Sequence, residues 1–163
     1  MTDIDNMTLQ ERRQNHFNVA WHGVIEQGHP GVRPSKGVCC YITDENPHAT
    51  KFSQCGVGFI LGPDLSREWE TRSGGMVEEM IASCIPHSHG YTDDEWGYEH
   101  IDKKDRQIIP RWLFEDRQFY ADVQRAHDDA NDDYGDCPFI DVFKHYMERV
   151  ASDYGLTVPV TQE

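Results

Sequence analysis

The chain has 163 residues, 29 of them acidic and 15 basic, for a formal net charge of −14, and 37% of the residues are apolar. That length suits one domain; the apolar share, with four Trp and seven Phe, excludes a disordered chain, and the longest apolar runs are far too short for a membrane span. The acidity argues against direct binding to nucleic acid or anionic lipid, both of which require basic patches, and favours association with basic protein surfaces.

The polar start MTDIDNMTLQERR carries no apolar signal region, so no export signal is expected and the protein is read as cytoplasmic. Five Cys, two of them adjacent (Cys39 and Cys40), fit reduced thiols better than a disulfide framework.

Thr8-Leu9-Gln10-Glu11 fits a capping box. Phe17, Ala20, Trp21, Val24 and Ile25 follow at helical spacing, and Gly28 and Pro30 end the pattern, predicting a helix over 8–27. Lys36 to Thr43 (KGVCCYIT) reads as a strand. Val57, Phe59 and Leu61 alternate like a strand, while Val57, Ile60 and Leu61 would share a helical face; the strand reading, paired with 36–43, is preferred. Ser66 is the expected cap of a short helix carrying Trp69, and Gly74-Gly75 breaks it. Met76, Val77, Met80, Ile81 and Cys84 mark an amphipathic helix that Pro86 ends. Residues 85–110 show no period, as in a long functional or inserted loop. A helix is expected over 111–130, then a turn at NDDYGDCP. The clearest helix carries Phe139, Phe143, Tyr146, Met147, Val150 and Tyr154, with Gly155 and Leu156 suited to a Schellman end. The fold class is therefore α+β and mainly helical. Four or five helices surround a small two-stranded hairpin, in a single domain 1–163 with a loop insertion at 85–110.

Several side-chain groups could carry chemistry. His87, His89, Asp93 and His100 are metal-ligand types on a loop, suited to a divalent metal such as zinc, but their spacing departs from the HxHxDH pattern of metallo-β-lactamase-like hydrolases. His127-Asp128 is similar to the paired ligands of HD-type phosphohydrolases, which need further ligands; His100 and Asp141 could serve. Asp129, Asn131 and Asp133 start like a calcium loop, which then fails, with Tyr134 where Gly is needed and Ile140 where Glu belongs. Cys40 and Cys55, with Cys39 nearby, would be cross-strand neighbours in the hairpin, and His48 could add a ligand. A small buried hydrophobe is the commoner role of free Cys. No phosphate loop, dinucleotide fingerprint or Gly-x-Ser-x-Gly elbow is present.

An ordered set of pieces resembles a family of small bacteriophage and prophage proteins. These are Phe17–Gly28 (FNVAWHGVIEQG), Cys40-Tyr41, Cys55–Asp64 (CGVGFILGPD), Trp69-Glu70, Val123–Asp128 (VQRAHD) and Val150–Leu156 (VASDYGL). The likeness covers most of the chain outside residues 82–110. Gly56 stands where the family has Ala, and Gly62 intrudes before Pro63-Asp64. No catalytic activity attaches to this family, so the resemblance implies a phage-type setting, inside the host cell's cytoplasm. It also makes Cys40, Tyr41, Cys55, Gln124, His127 and Asp128 a structural motif, with Gln124 and His127 expected to hydrogen-bond backbone in the Cys40–Cys55 segment.

Asp129, Asp132, Asp133 and Asp136, with Asp93, Asp94 and Glu95, lie outside that motif and form an acidic surface. The expected function is an interaction protein that needs no cofactor and binds or inhibits a basic host protein, mimicking nucleic acid at a defence or transcription component. The alternative is a metal-dependent hydrolase of a nucleotide or phosphoester, built on His87, His89 and Asp93, which His127 and Asp128 could join, with the metal activating a water.

Overall fold

A computed structural model describes residues 3–33, 35, 38–45, 52–72, 75–85 and 97–160. The first helix, α1 (Leu9–Gln27), begins as the capping box requires: the Thr8 side chain accepts from Glu11 N–H while Glu11 accepts from Thr8 N–H at 2.8 Å. Gly28, at φ 79°, closes it. Its apolar stripe, Phe17, Ala20, Trp21 and Val24, is wholly buried.

The strand pair differs from the expected hairpin. β1 (Val32–Arg33) pairs antiparallel with β2 (Val38–Cys39), and Thr43 forms one isolated bridge with Ser53. Residues 54–61 are not a strand: Gly56–Leu61 form α2. Two features decide this, one local and one remote. Cys55 sits at the N-cap, its sulfur accepting from Gly58 N–H at 3.4 Å. Gly58 also lies so close to Tyr41 that an added Cβ would stand 2.0 Å from the Tyr41 carbonyl oxygen. The glycines that weaken a strand here permit the close approach of helix to backbone.

After Gly62, α3 (Pro63–Arg72) carries buried Trp69. Ser66 is not its cap but a fully buried interior residue, donating to the Gly58 carbonyl at 3.1 Å. The next helix, α4 (Val77–Ser83), buries Val77, Met80 and Ile81. Of the aperiodic stretch, the described part 97–110 is held firmly. Ile101 and Ile109 are in the core, Trp69 Nε1 donates to the Ile108 carbonyl at 2.7 Å and Tyr98 Oη to that of Ile109 at 2.7 Å.

The single helix expected over 111–130 is two, α5 (Arg111–Glu115) and α6 (Arg117–Asp133), broken at Asp116. Asp116 leaves helical geometry (φ −126°, ψ 33°) and its buried carboxylate receives a two-pronged bond from Arg13, at 2.8 and 2.7 Å. The helix also runs three residues further than expected before the turn. It packs against α1, α2, α4, α5 and α7, so the other elements are arranged around it. The last helix, α7 (Phe139–Tyr154), ends on Gly155, with Leu156 N–H reaching back to the Ala151 carbonyl at 2.8 Å, the expected Schellman closure. Its tail is clasped by α1: Gln10 Nε2 donates to the Tyr154 carbonyl at 2.9 Å, and Gln14 exchanges two 2.8 Å bonds with the backbone of Thr157. The described residues thus hold seven α-helices and one strand pair, more helical than the expected four or five. No helix among them is long and apolar enough to cross a membrane.

Replacing Gly58 by Ala should cost about 2 kcal/mol or more, because the Tyr41 carbonyl cannot retreat from the added methyl; urea unfolding measures it. His16 gives a second test. It is buried, its Nδ1 is 2.7 Å from Tyr120 Oη and its ring lies 4.6 Å from Trp112. Burial, with help from the Arg12 charge, lowers its pKa from 6.5 to about 4. Between those values the unfolded chain binds the proton that the fold excludes, so stability contributed above pH 6.5 is lost progressively as pH falls towards 4. His16→Gln should flatten the urea midpoint over that range.

Candidate functional site

Tyr41 is the meeting point of the pieces singled out in the sequence. Its backbone N–H donates to Glu70 at 2.5 Å, and its hydroxyl donates to the Gly75 carbonyl at 2.6 Å and accepts from Gln124 Nε2 at 3.1 Å. The Gln124 side-chain oxygen accepts the Val77 N–H at 2.7 Å, the first amide of α4. One side chain on α6 therefore orients both Tyr41 and the start of α4. Burial pushes the Tyr41 phenol well above its usual range, so it remains a donor. The edge of Trp69 packs on its ring at 5.0 Å.

One turn further along α6, His127 is fully buried and packs against Phe139 and Phe143. Its Nε2 accepts the Gly31 N–H at 2.9 Å and its Nδ1 faces Asp128 Oδ1 at 3.1 Å. Because Nε2 accepts, the ring proton sits on Nδ1 and is donated to Asp128. Gly31 is fixed in place: a Cβ there would lie 2.4 Å from the Gln54 backbone. Gln124 thus bonds the Tyr41 hydroxyl and the Val77 amide, and His127 bonds the Gly31 amide and Asp128, so neither bonds backbone of the Cys40–Cys55 segment as expected.

Cys39 completes this corner. Its sulfur, a His127 nitrogen and an Asp128 oxygen lie within 4.8 Å of one another, a donor set that suits zinc in type. The hydrogen bonds oppose such use of His127. A histidine bound to a metal through Nδ1 needs its other nitrogen protonated and donating, and here Nε2 faces the immovable Gly31 N–H. In this arrangement the imidazole has no lone pair to give. Asp128 instead accepts the imidazole N–H. The thiols are not poised for nucleophilic attack. Burial first and Asp128 second push Cys39 and Cys55 well up; burial first and Glu70 second push Cys40 up to about 12. Cys40 closes the hairpin, its N–H donating to the Gly31 carbonyl at 2.9 Å, and Cys55 caps α2, so the two are not cross-strand neighbours.

Beyond His127 the helix becomes an acidic end. Between Arg125 and Lys144 the chain has six Asp and no Lys or Arg. Asp129, Asp132, Asp133 and Asp136 are exposed and Asp128 is partly so. Asp133 is bound by Tyr146 Oη. Among the described residues no Lys or Arg forms a salt bridge with Asp129, Asp132 or Asp136, whereas Arg13, Arg33, Arg67, Arg72, Arg111 and Arg125 are paired with carboxylates elsewhere. Burial, then the charges of Asp133, Asp128 and Asp132, raise the Asp129 pKa.

Of the proposed loop ligands, His87, His89 and Asp93 lie outside the described residues, as do Asp94, Glu95 and His48. His100 is in a short turn where its Nδ1 accepts the Gly97 N–H at 2.9 Å. Asp141, in the first turn of α7, is not part of the His127 cluster. Gly31 escaped sequence reasoning, and Cys39, weighed there only beside Cys40 and Cys55, was not linked to His127. Gly31 sits in a Pro-Gly turn whose only signal is the glycine itself. Cys39 lies 88 positions before His127, and nothing local relates them. Comparison with protein-family models, curated proteins and solved structures gives no match to this chain.

His127→Ala should cost about 3 kcal/mol, from the cavity against Phe139 and Phe143 and the orphaned Gly31 amide. Asp128→Asn keeps an acceptor for the ring N–H and should cost about 1 kcal/mol or less. Urea unfolding and amide exchange at Gly31 separate the two.

Proposed function

We propose that this is a small interaction protein of phage type whose acidic end of α6 docks on a basic surface of a host protein. The observation that carries the reading is a charge pattern that works against its own helix. A helix C-terminus carries partial negative charge and favours cations, yet Asp132 and Asp133 occupy the last turn of α6 with no basic residue there. Asp128 with Asp132, and Asp129 with Asp133, are like charges at i, i+4, which repel on a helix. A local rule broken at the expense of stability marks a place used for something else. Arg125, one turn earlier on the same helix, is paired with Glu78 and Asp122. Exposed carboxylates in this density suit a surface that ordinarily receives phosphates, such as the nucleic-acid face of a host defence or transcription component, and would speed encounter by electrostatic steering.

The paired substitution Asp129→Asn, Asp132→Asn should move stability and binding in opposite directions. Relief of repulsion should raise stability by about 0.5–1 kcal/mol, read by urea unfolding. Binding should weaken: host proteins retained by immobilised wild-type protein at low salt should be released as salt rises and should not be retained by the variant. Identical retention by both proteins, or retention indifferent to salt, would overturn the reading.

A further inference from the structure

The break at Asp116 does more than end α5. It gathers the end of α4, the end of α5 and the first turn of α6 around a cavity of about 120 Å³ that opens to solvent. Ile81, Ile85 and Phe114 give it an apolar floor, and Ile81 and Phe114 are buried. Tyr98 packs against the Phe114 ring, centroids 5.7 Å apart, and helps to hold that wall in place. The volume is close to the roughly 150 Å³ that takes one benzene ring. Arg117 stands on the rim. Its guanidinium lies over Phe114, 5.0 Å from the ring centroid, and Nη1 donates to the Phe114 carbonyl at 3.1 Å. Among the described residues no carboxylate forms a salt bridge with Arg117, in a chain with 29 acidic residues to 15 basic.

We propose that this cavity binds a small apolar monocarboxylate, its hydrocarbon part against Ile81, Ile85 and Phe114 and its carboxylate on the Arg117 guanidinium. The planar fork of an arginine matches the two oxygens of a carboxylate, and apart from the bond to Phe114 that fork has no acceptor from the protein. The acids close by are already engaged. Asp116 takes its two bonds from Arg13, and Glu78, on the same rim, takes one from Arg125. The start of α6 adds to the preference for an anion. Its first turn holds no acidic residue and Asp116 makes no side-chain capping bond there, so the partial positive charge of the helix end is unanswered. Glu78 limits the charge to one, since a second carboxylate on the ligand would face it across the rim. A cavity of this size with an apolar floor and a single cation selects an acid carrying one ring or a short branched chain. The site lies at the opposite end of α6 from the acidic surface and stands whether or not that surface docks on a host protein.

The test is a titration of the full chain with sodium benzoate at constant ionic strength near neutral pH, followed through its backbone amide NMR signals. Saturable shifts are expected at Ile81, Ala82, Phe114 and Gln118, with a dissociation constant in the millimolar range. Benzamide has the same shape without the charge and should bind about tenfold more weakly, the loss of one charge-assisted pair. Arg117→Lys keeps the charge but not the fork, and should weaken benzoate severalfold while leaving benzamide unchanged. Ala82 lines the cavity from an exposed position, so Ala82→Leu should fill the space and abolish binding of both compounds without loss of fold. That second variant keeps the test intact if the first disturbs the start of α6. No saturable shift from benzoate at high millimolar concentration overturns the site. Shifts that persist in Ala82→Leu place the binding elsewhere and overturn it too. Benzamide binding as tightly as benzoate, or benzoate binding unweakened in Arg117→Lys, overturns the recognition of a carboxylate by Arg117.

Discussion

The bond from the Gln124 side chain to the first amide of α4 organises this molecule. Gln124 lies on the most connected helix, and its amide group has two ends. One fixes Val77 and so the entry of α4; the other fixes the Tyr41 hydroxyl and so the chain that leads from the strand pair into α2. A buried amide left with either end unmatched would cost about 1–3 kcal/mol, so the two attachments stand or fall together. His127, one turn on, adds a third through Gly31. Polar contacts of this kind contribute little net energy next to the buried Trp21, Trp69 and Phe143, but they choose which of several apolar packings is the native one.

That organisation explains how the acidic end is tolerated. The last two turns of α6 are electrostatically unfavourable for a helix, and an isolated peptide of this sequence would fray there. In the folded protein the inward side of the same turns carries His127 and Ala130, both fully buried, and α7 packs along it. Tertiary packing keeps helical a segment whose charges oppose helix, and the carboxylates are thereby held in a fixed array. A disordered acidic tail would present the same charge but would have to be ordered on binding, which costs affinity.

Much of this was legible in the sequence where local physics governs. The Thr8 and Glu11 side chains, the stripe from Phe17 to Val24 and the Gly155-Leu156 closure each announce a helix boundary or face through contacts within a few residues. The strand reading of 54–61 failed because the deciding contacts are remote. Gly58 is needed for its approach to Tyr41, 17 positions earlier, and that approach, with the Cys55 cap, makes a glycine-rich hexapeptide helical. The break at Asp116 was invisible for the same reason, since its partner Arg13 is 103 residues away. At the candidate site, Gln124, His127 and Tyr41 could be singled out from the chain, but their partners could not. Hydrogen bonds to backbone leave no mark on the partner's side chain.

The clasp between α1 and the tail of α7 bears on how the chain comes to be folded. Gln10 and Gln14 bind residues more than 140 positions later, and α1 also packs on α7 directly. During synthesis α2 can pack on α1 early, but the Trp21 edge that meets Phe143 stays uncovered until α7 has followed. Loop closure over such a separation is slow compared with helix formation, and an exposed apolar stripe invites aggregation meanwhile. The capping box at Thr8 and Glu11 favours α1 locally during that interval.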